Sequence, residues 1–220
     1  MSADKRKPVI VIGLGRFGGA VANTLERMGH EVLGVDVSAG RVQEYAGTLT
    51  QVVEADCTDH SGLKRMGAGE FESAVVGIGE DIEASVLTVL ALSDLGVPSI
   101  WAKATNEKHG RILQRTGAHH VVYPESRMGE RVAHLLNERL MDFIDFGDNY
   151  GIAKLAAPDP VVGLPLMTSD CRKKYDITVV GVKREGEPFI HAVPDTLILP
   201  GDVLVISGHI AEIEAFAAID

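Results

Sequence analysis

The chain has 220 residues, 45% of them hydrophobic and 24% charged, which suits one large or two smaller globular domains and excludes fibrous and disordered classes. With 21 Lys and Arg against 31 Asp and Glu, the formal net charge is −10. A nucleic acid or an anionic lipid surface is therefore repelled on average, and neither nucleic-acid binding nor direct lipid insertion is expected.

The opening "MSADKRKPVIVIGLG" has a charged head and a short apolar run. The run breaks at Gly13 and Arg16 with no small-residue cleavage site behind it, so it reads as a buried strand rather than a secretory signal. Strands are expected at Val9 to Gly13, Glu31 to Asp36, Gln51 to Ala55, Ala74 to Ile78, Ser99 to Ala102 and His119 to Tyr123. Amphipathic helices are expected between them, at Phe17 to Met28, Ala39 to Ala46, His60 to Met66, Ile82 to Leu95 and Lys108 to Arg115. This alternation implies an α/β fold, a doubly wound parallel six-stranded sheet covered on both faces. The apolar run Val86 to Leu92 falls far short of the ~20 residues that cross a bilayer.

A long crossover helix is expected next, over Glu125 to Phe143, because Val132, Leu135, Leu136, Leu140 and Phe143 recur at steps of three and four. The rhythm changes at "DFGDNYG", residues 145–151. Short strands with Gly/Pro turns follow, with a short helix "LMTSDCRKKY" and a closing helix "HIAEIEAFAAI", which together make a small α+β lobe. The expected division is residues 1–124, then a helix and hinge over 125–148, then 149–220.

Gly13, Gly15 and Gly18 form GxGxxG after a strand and at the mouth of a helix, where backbone amides can face a phosphate. Asp36 ends the next strand, placed to accept from ribose hydroxyls and to repel a 2′-phosphate, so the expected ligand is an unmodified adenosine nucleotide. Arg16 is not required by dinucleotide binding. Its guanidinium suits a terminal phosphate, or it is a solvated residue at a helix start. The two cysteines, Cys57 and Cys171, form no CxxC or zinc-ligand cluster, which points to a reducing, cytoplasmic setting. The eight histidines show no ligand spacing.

"VIGLGRFG", "EADCTD", "GIGED", "AKA", "YPE" and, further on, "KKYDITVVGVKREG" and "PDTLILPGDVLVISG" resemble a KtrA/TrkA-type RCK protein over essentially the whole chain. The resemblance implies a Rossmann nucleotide-binding domain, a pairing helix and an RCK C-terminal lobe. It further implies self-association to dimers and an octameric ring, at the inner face of the cell membrane, acting on a potassium channel or transporter subunit of the KtrB/TrkH type without catalysis.

By the same resemblance, Gly13, Gly15 and Gly18 with Phe17 make the phosphate turn, Asp36 holds the ribose, and Asp56 with Cys57 borders the adenine. Ile78 and Gly79 pack on the nucleotide, and Lys103 adds positive charge. Arg16 corresponds to a reader of the ATP γ-phosphate, and Glu125 to an acid facing neighbouring phosphates through Mg²⁺, Ca²⁺ or Na⁺. Arg172 falls where some relatives bind cyclic di-AMP. Read without the family, Asp56 is equally a helix N-terminal acid with Thr58 and Asp59 as the cap, Glu125 a first-turn carboxylate, and Arg172 a solvated helix residue.

The implied ligands are ATP and ADP, with NAD and NADH as the alternative pair. A competing enzyme class, an NAD-dependent dehydrogenase, needs a catalytic acid or base for which only His191 and His209 offer themselves. A redox-sensing transcription regulator would need a helix-turn-helix and a basic face, and the sequence has neither.

Overall fold

The structure, a computed structural model, describes residues 7–136 and 139–219. The chain divides into two compact units, Met1–Glu125 and Ser126–Asp220. The first contains β1 (Val9–Ile12), α1 (Arg16–Arg27), β2 (Val32–Asp36), α2 (Ala39–Tyr45), β3 (Gln51–Glu54), α3 (His60–Arg65), β4 (Ser73–Val76), α4 (Ile82–Asp94), β5 (Ser99–Lys103), α5 (Glu107–Thr116) and β6 (His120–Val122). Its six strands are all parallel, in the order β3-β2-β1-β4-β5-β6.

Every residue of β1 and β2 is buried, as parallel strands covered on both faces require. Alternate residues serve opposite layers. Ile10 and Ile12 join Val35, Val76, Leu92, Ile100 and Leu113 in one core, while Val9 and Val11 join Ala22, Val32 and Leu49 in the other. Chain order reverses between β1 and β4, so the connections from these neighbours leave in opposite directions. A crevice opens at their C-terminal ends, where ligands of such sheets sit.

α6 (Pro124–Leu135) leads into the second unit, which holds β7 (Leu140–Asp145), β8 (Tyr150–Ala156), α7 (Cys171–Tyr175), β9 (Thr178–Lys183), β10 (Phe189–His191), β11 (Val203–His209) and α8 (Ile210–Ala217). The strands form an antiparallel sheet in the order β10-β9-β11-β8-β7. Its core gathers Phe143, Leu155, Ile177, Val182, Leu204 and Ile206 under Ile213 and Phe216 of α8.

Three expectations are corrected. The helix foreseen through Phe143 ends at Leu135, residues 137 and 138 lie outside the described residues, and Leu140–Asp145 is a strand. A bulge between Leu140 and Asp142 inserts one residue into the two-residue alternation, so Leu140 and Phe143 both face inward at a helix-like spacing of three. The segment 145–151 is the hairpin joining β7 to β8 within one sheet, its turn made by Gly147, Asp148 and Asn149, all at positive φ. The helix foreseen over Leu166 to Tyr175 is only Cys171–Tyr175, because Asp170 adopts φ 52°, which helical propagation cannot pass through.

Candidate functional site

The site begins with a close approach of backbones. Gly13, just after β1, has φ +86°, and its amide donates to Val35 O at 2.7 Å. A Cβ on Gly18 would stand 1.9 Å from Gly13 O, and one on Gly77, just after β4, 2.8 Å from the same oxygen. Glycine at these three positions lets the turn, the first coil of α1 and the end of β4 meet around one carbonyl. The N-terminus of α1 is left open, because Gly15 supplies no side-chain cap and no acid lies in the first turn. Unsatisfied amides and the positive end of the helix suit an anion there.

Asp36, the last residue of β2, is 4% exposed. Leu14 N donates to its Oδ2 at 2.7 Å and Ser38 N to its Oδ1 at 2.9 Å. The acid is thereby tied to both the glycine turn and the start of α2. Arg41 of α2, which sequence reasoning missed, donates from Nη1 to Oδ2 at 3.2 Å. Its guanidinium also overlies Gly15, 3.6 Å from where a Cβ would be. Its place, five residues after the acid in the first turn of α2, carries no motif signal, and the contact exists only because α2 folds back over Gly15.

The ends of β4 and β5 and the start of α6 bring together a second set of the expected residues. Ile78 packs against the core and stands 3.1 Å from the Cβ position of Gly13. Lys103 lies across Gly79, its Nζ 3.0 Å from the Cβ position there, and pairs with Glu125 Oε1 at 2.6 Å. The hydrogen bond from Lys103 holds the Glu125 carboxyl below the usual carboxylate range, and the charge of Arg16 acts in the same direction. Arg16 is exposed as the first residue of α1.

The remaining expected residues lie as follows. The Phe17 side chain is half-buried and packs into the core beneath α1, which leaves its backbone amide in the first turn of that helix. Cys57 is also a core residue, and burial, with the charges of Asp56 and Asp36 acting in the same direction, pushes its thiol up to about 12. Asp56 is exposed, and its Oδ1 accepts from Thr58 N at 2.9 Å and Thr58 Oγ1 at 2.7 Å, bonds that hold its pKa below the ordinary value. Asp59 caps α3. Arg172 belongs to the second unit, exposed on α7 beside Lys173 and Lys174.

The glycine cradle, the open amides and the buried acid fit the phosphate and ribose of a nucleotide. The surroundings of Glu125 do not fit a resident metal within one chain. The carboxylate is engaged by an ammonium, and no group of three His, Cys, Asp or Glu side chains able to hold a metal occurs among the described residues.

Comparison with known proteins places this architecture. Residues 9–124 match the TrkA-N domain and residues 152–219 the TrkA-C domain. The chain is 39% identical to Ktr system potassium uptake protein A of Bacillus subtilis over 217 residues, 98% of each chain. It belongs to the KtrA-type RCK family. Ktr system potassium uptake protein C of the same organism is 36% identical over 212 residues, covering 96% of each chain. Among solved structures, the GsuK channel bound to NAD is 20% identical with a TM-score of 0.65, and the match covers 98% of this chain and 40% of the channel. At that identity the likeness shows the RCK fold alone.

Proposed function

We propose that this chain is a nucleotide-sensing regulatory subunit of a potassium uptake system. It controls a membrane-embedded potassium channel or transporter subunit through the shape of an oligomeric assembly, with ATP set against ADP. The observation that carries the reading is Asp36, a buried acid fixed by two backbone amides beside a turn in which an added Cβ would strike a carbonyl oxygen. The relatives' names supply the potassium system. No helix among the described residues is long and apolar enough to cross a membrane.

Asp36 and the glycines address the adenosine and first phosphates that ATP, ADP, NAD and NADH share. Arg16 and Lys103, gathered with Glu125 at the ends of α1, β5 and α6, supply cationic charge for a terminal phosphate. A ligand shifts a two-state assembly only by its differential affinity for the two shapes. The terminal phosphate is the part of ATP that can make that difference against ADP.

Calorimetric titration with ATP, ADP, NAD and NADH, with and without Mg²⁺, tests the ligand. Potassium uptake by cells lacking their own uptake systems, supplied with this chain and its membrane subunit, tests the role. Binding of ATP and ADP together with uptake that fails in Asp36→Asn is expected. Binding of NAD and NADH alone would make the chain a dinucleotide sensor, and uptake indifferent to Asp36 would remove the regulatory reading.

A further inference from the structure

Arg41 lies outside the glycine motif, yet it touches the carboxylate assigned to the ribose. The Asp36 carboxylate offers roughly four lone-pair positions, and Leu14 N, Ser38 N and Arg41 Nη1 occupy three of them, at 2.7, 2.9 and 3.2 Å. The two amides belong to the turn and to the strand-to-helix connection and are fixed by them. The Arg41 contact is the longest of the three, involves one guanidinium nitrogen, and comes from a side chain 48% exposed against 2% for its partner. A ribose that uses both oxygens of Asp36 needs the position Arg41 holds. The guanidinium already overlies Gly15, at the open end of α1 where a nucleotide's first phosphate would rest.

We propose that Arg41 is a displaceable counter-ion, resting on the nucleotide reading above. In the ligand-free protein it neutralises the buried Asp36. When ribose hydroxyls take that carboxylate, the guanidinium passes to the phosphate attached to the same ribose. Both charges then stay compensated in both states, and a nucleoside without phosphate gains nothing in exchange for the arginine it displaces. Arg41 is thus a selectivity residue for nucleotide over nucleoside, whereas Arg16 is assigned to the far end of the phosphate chain.

The experiment titrates the full chain and its Arg41→Gln variant with adenosine, AMP and ADP, with melting curves for both proteins as a control on folding. AMP and ADP are expected to weaken together by about tenfold, the range of a charge-assisted hydrogen bond. Adenosine is expected to bind the variant as well as or better than the parent, since its competitor for Asp36 is gone. Arg41→Lys, which keeps the charge without the fork, should recover part of the AMP affinity. Equal losses for adenosine and AMP would mean that Arg41 merely shapes the acid, and unchanged AMP and ADP binding would mean that the guanidinium never reaches the phosphate. Either result overturns the proposal, while a parent that binds no ADP overturns the nucleotide reading beneath it.

Discussion

Asp36 and Asp202 are both buried, at 4% and 1% exposure, and both have an arginine at hand. In the C-terminal unit the pair is closed. Arg184 donates from Nε to Asp202 Oδ1 at 2.8 Å and from Nη2 to Oδ2 at 2.9 Å, and Leu199 N donates to Oδ2 at 2.8 Å. The arginine also reaches Leu197 O at 3.4 Å, so the acid ties the turn before β11 to the strand sheet. At the end of β2 the pair is open, with a single 3.2 Å contact to a half-exposed arginine beside a helix terminus with free amides. A carboxylate held in planar bidentate fashion suits a strut, whereas one held mostly by backbone, with a single contact to a half-exposed cation, suits the receptor role proposed above. Burial and charge alone do not separate the two cases.

The largest expected effect comes from Gly18→Ala. Its Cβ would lie 1.9 Å from Gly13 O, so α1 must move off the turn, at a cost of about 1–3 kcal/mol in stability. ADP affinity should fall by about a hundredfold or more, since moved amides no longer converge on a phosphate. Retained affinity in a folded variant would show that the open region is not a receptor.

Asp202→Asn is the complementary change. It should lower stability by about 1.5–3 kcal/mol and leave ADP titration unchanged, which would confirm the closed pair as a strut. The hydrogen bond from Arg184 holds Asp202 below its ordinary value of 3.8. A depressed folded pKa gives stability that is fully present above the unfolded value and lost as pH falls through the folded one. Acid melts should therefore show the gap between parent and variant closing as pH drops below about 4, and a gap that persisted in full would contradict the pairing.

Arg16→Ala sharpens the open side. ATP should weaken by about tenfold or more while ADP and NAD change less; equal losses would place Arg16 on the shared phosphates. The smallest effect belongs to Asp56→Ala, which removes the two hydrogen bonds to Thr58 and should cost about 0.5–1.5 kcal/mol. Any accompanying fall in affinity should be the same for ATP and ADP, because an adenine contact is blind to the terminal phosphate.

Much of this was legible in the residues. The Val/Ile runs of β1 and β2 and the glycine spacing after β1 declare a parallel sheet with a phosphate turn, since few other structures need both. Asp36 was legible because a strand-ending acid has a fixed distance from that turn. Arg41 was not, because its meaning depends on α2 folding back over Gly15, a contact that no motif spacing encodes. Lys103 and Glu125 were each singled out, but their ion pair joins a strand end to a helix start 22 residues later and needs the closed fold. β7 defied the sequence reading because its bulge mimics helical spacing, and the burial of the Phe17 and Cys57 side chains depends on packing that no motif spacing encodes.

The most direct test titrates ADP into three proteins, the parent, Asp36→Asn and Asp202→Asn, under one set of conditions, with a thermal melt of each. The expected result is about tenfold or greater weakening in Asp36→Asn, parent-like affinity with a lowered melting temperature in Asp202→Asn, and measurable binding in the parent. Equal affinity in Asp36→Asn and the parent, or a parent that gives no heat with ADP, would contradict the assignment of the open pair as the nucleotide receptor.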